Sequence, residues 1–404
     1  MPAKLNDSPE AIVIGSGPAG LTAAIALAKA GISTALVGRR LPKPDHRTTA
    51  LLASSVTALE TLGIWQSCKA QAAPLKVMRI VDDTDRLWRA PEVKFTAKEI
   101  DLDAFGYNIE NRHLIAALNQ HVVDLPKLRL VDDDAVNIAP NIDDAAVSLK
   151  NGGILRAPLI IGADGRKSIC RDAAGIAMQD RSYPQAALTI CLRHSRPHHD
   201  TSTEFHTASG PFTLVPLPGN RSSLVWVLDP VGAEELAELD DADLASDIER
   251  ASHSILGKIE LEPGRGLFPL GVAIAQTFAD NRIALVGEAA HVIPPIGAQG
   301  LNLGLRDAAT ISEIAIAANR SGRDIGGADV MARYNNMRRT DIGSRTIVID
   351  LFNRTLLSDF LPIQGMRGLG LYLIDRIGPL RRAVMREGVA PAAAQPRLMR
   401  GEPF

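Results

Sequence analysis

Residues 11–40, AIVIGSGPAGLTAAIALAKAGISTALVGRR, limit the fold of this chain more narrowly than any other stretch. A short apolar strand leads into a glycine-rich turn, and an Ala/Leu-rich helix follows and ends near Gly31. This order predicts a strand–turn–helix–strand unit in which a nucleotide pyrophosphate lies at the helix N-terminus. Gly15 permits the tight turn, Gly17 lets the pyrophosphate approach the backbone, and Gly20 lets the helix pack closely. The residues expected to line the nucleotide are Gly15, Ser16, Gly17, Pro18, Ala19 and Gly20.

The end of the second strand departs from the usual fingerprint. An acidic residue normally binds the ribose hydroxyls about 20 positions after the glycines, but Gly38 stands there, followed by Arg39 and Arg40. Two arginines would suit the 2′-phosphate of NADP, so an NADP-binding Rossmann domain is one interpretation. A solvated loop is the structural alternative for both side chains.

Two later stretches also carry an apolar strand into a turn with a carboxylate. PLIIGADGRKSICR leads into Asp164 and Gly165, and RIALVGEAAH leads into Gly287 and Glu288. Open α/β sheets bind ligands at the carboxyl ends of their strands. A plain NADP domain does not need two such additions so far along the chain.

Residues 287–307, GEAAHVIPPIGAQGLNLGLRD, expose much backbone directly before what reads as a helix. After Glu288 come two prolines, three glycines, a Gln and an Asn before charge returns at Arg306. One interpretation is an anion site, because unpaired N–H groups and the helix dipole converge at a helix start. The other is a buried tight turn without a ligand.

Composition excludes several classes of protein. The 404 residues carry a formal net charge of −2, so no basic field predicts a nucleic-acid partner. Three widely spaced cysteines predict neither a metal cluster nor a disulfide framework and suit a reduced, cytoplasmic protein. The first ten residues lack the apolar region of a secretory signal. The uncharged run 11–28 contains Gly and Pro and reads as strand, turn and helix rather than as a membrane span.

These motifs together resemble the class A FAD-dependent aromatic monooxygenases, relatives of para-hydroxybenzoate hydroxylase, and more narrowly the ubiquinone-biosynthesis hydroxylases. The resemblance covers nearly the whole chain, because DHRTTALLASSVTALETLGIW, YNIENRHLIAAL, GPFTLVPLPGNRSSLVWVL and GLYLIDRIGPLRRAVMREGV also match in order. It implies an α/β fold: a Rossmann-like FAD-binding domain, an inserted mixed β-sheet substrate domain and a C-terminal helical segment. The implied parts are 1–75, 100–180 and 275–340 for FAD, 76–99 and 181–274 for the substrate sheet, and 341–404 for the helical segment.

The resemblance also implies a reaction. NAD(P)H reduces FAD, O₂ adds to give a flavin C4a-hydroperoxide, and one oxygen atom passes to an aromatic ring. The expected substrate is a polyprenyl-phenol intermediate of ubiquinone biosynthesis. The alternatives are a hydroxylase of a soluble aromatic or secondary metabolite, a flavin-dependent reductase or halogenase, and a non-catalytic FAD-binding subunit of a biosynthetic assembly. A halogenase should carry a Trp-x-Trp-x-x-Ile element, which the sequence lacks.

The resemblance assigns further residues to FAD. The helix that begins near Gly300 is expected to aim its N–H groups at the flavin, where a helix N-terminus favours the anionic reduced form. Glu288, Gly38 and Ala298 are departures, because the family usually has Asp or Asn, an acid and Gly at these places. The additional cofactor-binding residues implied are Arg47, Arg112, Val136, Pro295, Gly297, Gly300, Leu301 and Asn302.

No catalytic acid or base and no metal ligand is assigned. His291 would look like a general base in isolation, but its place in the GEAAH stretch favours a structural or flavin-adjacent role. Tyr107, Tyr183 and His206 are candidates for deprotonating a phenol.

The C-terminal stretch 366–386 alternates apolar residues with arginines. Leu369, Leu373 and Ile377 share one helical face, and five arginines stand against one acid, which predicts a helix lying on a membrane surface. Peripheral contact at the inner face of a membrane is therefore expected beside a cytoplasmic location. Packing of this helix on its own domain is the alternative.

Overall fold

The computed structural model describes residues 8–39, 45–84, 91–357, 376–389 and 395–404. The strands are β1 (Ala11–Ile14), β2 (Thr34–Val37), β3 (Thr48–Leu52), β4 (Ala72–Pro74), β5 (Val77–Asp82), β6 (Val93–Thr96), β7 (Gly106–Glu110), β8 (Leu128–Val131), β9 (Ala135–Pro140), β10 (Ala145–Leu149), β11 (Ile154–Ala157), β12 (Leu159–Gly162), β13 (Met178–His194), β14 (Thr201–His206), β15 (Pro211–Leu217), β16 (Arg221–Leu228), β17 (Ile259–Leu261), β18 (Gly266–Ala275), β19 (Ala279–Asp280), β20 (Ile283–Leu285) and β21 (His291–Val292). The helices are α1 (Pro18–Lys29), α2 (Ala53–Thr61), α3 (Asn111–Val123), α4 (Ile169–Ala173), α5 (Pro230–Glu238), α6 (Asp241–Ala251), α7 (Gln299–Arg320), α8 (Ala328–Leu357) and α9 (Gly378–Val389).

A six-stranded sheet in the order β19-β20-β12-β1-β2-β8 forms the first layer of the fold. All of its pairings are parallel except β19–β20. Strands β1, β2, β12 and β20 are buried along their whole length, as expected for a sheet covered on both faces. The predicted strand–turn–helix–strand unit is present, and the carboxyl ends of β1, β12 and β20 lie side by side.

A nine-stranded sheet forms the second layer, with the order β21-β18-β13-β16-β15-β14-β5-β6 and β17 paired to β13. A hairpin connects β15 and β16 through Pro218, Gly219 and Asn220. The acidic stretch 232–256 forms two helices, α5 and α6, which are capped by Asp229 and Asp240. Apolar side chains of α6 close a second core with this sheet, so the acidic face is solvated.

The predicted fold class is confirmed, since a Rossmann-like sheet, a mixed sheet and C-terminal helices are all present. The proposed domain limits stay a prediction: β5, β6 and β13–β18 share one sheet as expected, while β21 also joins it and α8 runs through residue 340. Within the described ranges, no helix combines the length and apolar character that crossing a bilayer requires.

Candidate active site

The first glycine turn has the shape that a pyrophosphate needs. Gly15 adopts a φ of +116°, and a Cβ there would lie 2.1 Å from the carbonyl oxygen of Ala163. A Cβ at Gly20 would lie 2.0 Å from the oxygen of Gly15, so helix and strand meet without side chains between them. A Cβ at Gly17 would face open space, and α1 begins there without a side-chain cap. The first N–H groups of α1 are therefore available to an anion.

The sequence departure at Gly38 has a steric explanation. A Cβ at Gly38 would lie 3.0 Å from the backbone nitrogen of Ser16, and Ser16 Oγ donates to the carbonyl oxygen of Arg39 over 2.7 Å. Arg39 forms an exposed ion pair with Asp134, 2.9 Å long. Val136, on β9 two residues after Asp134, has 53% of its surface exposed. Arg40 lies outside the described residues.

The two predicted carboxylates have different roles. Asp164 accepts hydrogen bonds from Ser168 Oγ at 2.6 Å and from the backbone N–H of Cys170 at 3.2 Å, so it fastens its own loop. Glu288 is half exposed and pairs with Arg166 over 3.3 Å. Arg171 joins the two turns, because its guanidinium donates to the carbonyl oxygen of Ala289 over 3.2 Å. Gly165, which follows Asp164 in the chain, has a φ of +79° and leaves space where a Cβ would point.

The loop before α7 exposes backbone towards the same region. Gly297 and Ala298 both adopt left-handed conformations, with φ of +65° and +54°, and α7 then begins without a side-chain cap. A Cβ at Gly300 would meet open space. Leu301 is half-buried and Pro295 is exposed. The start of α7 is therefore a second helix N-terminus without a side-chain cap, which favours the anion-site interpretation over a filled turn.

Asn302 anchors this helix start rather than presenting its side chain to open space. Its amide donates to the carbonyl oxygen of Ala50 over 2.8 Å and accepts the N–H of Leu52 over 2.9 Å. These bonds fix the first turn of α7 against β3. The position was predicted from the sequence, but this role for the side chain was not.

Asp307 is a residue of this region that the sequence patterns did not single out. Its carboxylate is fully buried and accepts hydrogen bonds from Gly287 N–H (2.9 Å), His291 Nε2 (2.6 Å) and Arg338 Nε (2.7 Å). Burial alone would raise the pKa of Asp307, but the neighbouring His291 and Arg338 lower it below the ordinary value. An ionisable residue on the buried face of an apolar helix was the only signal that pointed to this position.

Arg47 and Arg112 already have acidic partners. Arg47 donates two hydrogen bonds to Asp45, from Nε to Oδ1 (2.9 Å) and from Nη2 to Oδ2 (2.8 Å). Burial raises the pKa of Asp45, but hydrogen bonds from Arg47 and Asn111 outweigh it and lower the pKa. Arg112 pairs with the buried Glu110 over 2.8 Å. Both guanidinium groups are about half exposed and remain accessible to a ligand.

A cavity of about 600 Å³ lies between the nine-stranded sheet and the junction of β7 with α3, where Glu110 and Arg112 line it. Arg221 of β16 crosses it, with Nε 2.8 Å from Glu262 and Nη1 3.4 Å from Glu110. The cavity wall also includes His46, next to Arg47. This charged cleft therefore borders the stretch that carries Arg47.

The three candidates for a phenol base have separate partners. The ring of Tyr107 packs edge-on against Trp65 with centroids 5.1 Å apart, and Arg181 lies 5.9 Å from the ring of Tyr183. His206 is buried, with Nε2 2.8 Å from Glu204 Oε1. Their predicted roles stay predictions.

The family described as an FAD binding domain matches residues 9–344. Ubiquinone hydroxylase UbiL from Rhodospirillum rubrum is 32% identical over 405 residues, covering 98% of this chain and 93% of that protein. The 3-demethoxyubiquinol 3-hydroxylase from Escherichia coli is 31% identical over 390 residues, covering 94% and 98%.

Solved structures share the fold at low identity. The p-nitrophenol 4-monooxygenase PnpA from Pseudomonas putida superimposes with a TM-score of 0.78 at 18% identity, covering 96% of this chain and 99% of that one. Klebsiella pneumoniae HpxO, complexed with FAD and uric acid, gives a TM-score of 0.72 at 18% identity, covering 94% and 97%. At this identity the likeness concerns the fold alone.

Proposed function

The chain belongs to the FAD-dependent aromatic monooxygenases, in the branch of the ubiquinone hydroxylases, and from that premise we propose that it hydroxylates a polyprenyl-phenol intermediate of ubiquinone biosynthesis. The observation that carries the substrate proposal is the 32% identity over 98% of the chain with a ubiquinone hydroxylase. A second ubiquinone-pathway hydroxylase at 31% identity supports the same assignment. NAD(P)H is the proposed electron donor.

We place FAD across the three turns that end β1, β12 and β20. The uncapped start of α1 and the open side of Gly17 fit the pyrophosphate, and the uncapped start of α7 fits the anionic edge of a reduced flavin. Arg47 and Arg112 are proposed to meet the phosphates or the ribityl chain. When bound, FAD supplies the redox chemistry that activates O₂.

The side chains and backbone of the protein bind and orient the cofactor and the substrate. The N–H groups at the start of α7 would stabilise negative charge on the bound flavin. Asp164 and Arg171 hold the turns that present this backbone. The protein therefore acts by binding and orienting, and no acid–base residue is assigned to the reaction.

We propose that the protein also contacts a membrane at its inner, cytoplasmic face through α9. Leu380 and Val384, with Ile377 just before the helix, are each 41–44% exposed and share one face by their spacing. Another face packs on the substrate sheet, because Met385 is buried and Arg381 Nε lies 2.5 Å from Glu99 Oε2. Leu369 and Leu373 lie outside the described residues.

Charge complementarity favours an anionic lipid surface as the occupant of this face. Apart from Arg381, which pairs with Glu99, residues 376–389 contain three arginines and one glutamate, and each basic residue near such a surface adds roughly 1 kcal/mol to binding. A polyprenylated substrate dissolves in the bilayer, so docking would bring the enzyme to it.

Quinone profiling in a deletion strain tests the substrate proposal. The strain should accumulate a polyprenyl phenol that lacks one hydroxyl group, and the plasmid-borne gene should restore the quinone. A normal quinone profile would instead favour a soluble aromatic substrate. Restoration by a variant that cannot oxidise NAD(P)H would favour a non-catalytic subunit.

A further inference from the structure

One buried carboxylate links the turn after β20 to two helices. Asp307 lies in α7, and its oxygens are shared unevenly: Oδ2 accepts both Gly287 N–H and His291 Nε2, whereas Oδ1 accepts Arg338 Nε of α8. Gly287 and His291 bracket the turn that carries Glu288. A single oxygen atom therefore holds both ends of that turn.

The turn packs directly against α7 at this carboxylate. A Cβ at Gly304 would lie 3.1 Å from Gly287 Cα, so α7 and the turn are in backbone contact. Gly287 itself has a φ of +60°. Its N–H faces α7, where an unpaired donor would be costly. The bond to Asp307 therefore matters for the conformation of the turn.

Arg338 acts on the carboxylate and not on the turn. Its guanidinium is buried, and its Nη1 donates to Asp341 Oδ2 over 2.7 Å. Asp341 also pairs with Arg306 over 3.4 Å. The ion pair with Arg338 therefore orients Asp307 Oδ1 and leaves Oδ2 facing Gly287 and His291.

We propose that Asp307 is a positioning residue for FAD: its Oδ2 presets the Gly287–His291 turn, and His291 serves as a donor that closes the turn. This rests on the FAD placement proposed above. Asp307 and His291 need not touch the reacting atoms. Loss of the acceptor should weaken FAD binding and alter the visible flavin spectrum, while KM for the aromatic substrate stays unchanged.

A matched pair of double variants separates positioning from stability. Asp307→Asn/Arg338→Met removes both buried charges but keeps an amide oxygen for Gly287 and His291. Asp307→Leu/Arg338→Met removes the same charges and the acceptor as well, with the same number of side-chain heavy atoms and the same branching at Cγ. FAD titration into the apoproteins should give the Asn variant an affinity within about threefold of the wild type and the Leu variant roughly tenfold weaker binding.

Equal FAD affinities and equal flavin spectra in the two folded double variants would overturn the proposal. If the Leu variant fails to fold, His291→Leu is compared with His291→Gln, which keeps a donor; unchanged FAD affinity in folded His291→Leu would also overturn it. Wild-type protein is titrated and assayed in parallel. Wild type that binds FAD but leaves polyprenyl phenols untouched would contradict only the substrate proposal.

Discussion

The guanidinium of Arg47 holds the carboxylate of Asp45 at two points, with Nε–Oδ1 and Nη2–Oδ2 separations of 2.9 and 2.8 Å. An arginine that binds phosphate must share or exchange this partner. This exchange reduces the net contribution of Arg47 to the free energy of FAD binding, because a charge-assisted bond to phosphate replaces one to a carboxylate. Asp45 thus fixes the orientation of the Arg47 guanidinium before any ligand binds.

Arg47→Ala should weaken FAD binding by roughly tenfold, the lower end of what loss of a charge-assisted contact causes. Fluorescence titration of the apoprotein with FAD measures the change. Arg156→Ala is the control, since Arg156 is equally exposed and pairs with Asp144 over 3.2 Å. Similar affinities for both variants would remove Arg47 from the site.

Gly17→Ala and Gly15→Ala should fail in different ways. The space beside Gly17 accepts a Cβ in the apoprotein, so this variant should fold normally and bind FAD at least about tenfold more weakly. At Gly15 a Cβ would collide with Ala163 and the φ is positive, so this variant should lose thermal stability. Melting temperature and FAD titration distinguish the two outcomes. Normal FAD affinity in Gly17→Ala would place the pyrophosphate elsewhere.

Ala298→Gly should stabilise the loop before α7. An alanine at a φ of +54° costs about 1 kcal/mol relative to glycine, part of which is offset by the greater freedom of glycine in the unfolded chain. FAD affinity should be equal or tighter. Ala242→Gly, in the exposed part of α6, is the control and should lower the melting temperature. Loss of FAD from Ala298→Gly would show that the methyl group is a required contact.

Leu380→Glu/Val384→Glu should abolish binding of the protein to anionic vesicles at low salt, since it puts charge on the exposed face of α9. Co-sedimentation measures binding, and neutral phosphatidylcholine vesicles should bind neither protein. Ile142→Glu is the control, because Ile142 is 89% exposed in the turn between β9 and β10. Equal sedimentation of the variant and the control would rule out α9 as the docking face.

The anchor of α9 should be sensitive to acid. A hydrogen bond from Arg381 lowers the pKa of Glu99 to about 2, against opposing desolvation. A lowered pKa means that the stabilisation is full above about 4.5, the ordinary pKa of Glu, and is lost as the pH falls through about 2. Hydrogen exchange of α9 amides, relative to those of α7, should accelerate over this window. In Glu99→Gln the ratio should already be raised at neutral pH; an unchanged ratio would contradict the anchor.

The sequence predicted those structural features that depend on interactions between residues close together in the chain. The strand, glycine turn and helix of residues 11–37 are visible in sequence because steric limits on glycine and apolar periodicity act over a few residues. The same logic predicts exposed backbone at residues 297–300, where a Cβ on Gly300 would meet open space, while the anion site there stays a prediction.

Contacts between residues far apart in the sequence could not be predicted from such local patterns. Asn302 bonds to Ala50 and Leu52 about 250 positions away, and Asp307 meets Arg338 across two helices. The left-handed backbone of Ala298 could not be predicted either, because alanine rarely adopts it. These features depend on how the layers pack, and a single sequence does not encode that as a local pattern.

The most direct test of the account is the fate of isotopically heavy O₂ in a reaction of the FAD-loaded protein with NAD(P)H and a polyprenyl phenol in anionic vesicles. The account predicts one heavy oxygen atom in the ring of each product molecule, formed in step with NAD(P)H oxidation. Oxidation of NAD(P)H without label in the polyprenyl phenol, together with labelling of a water-soluble phenol, would contradict it.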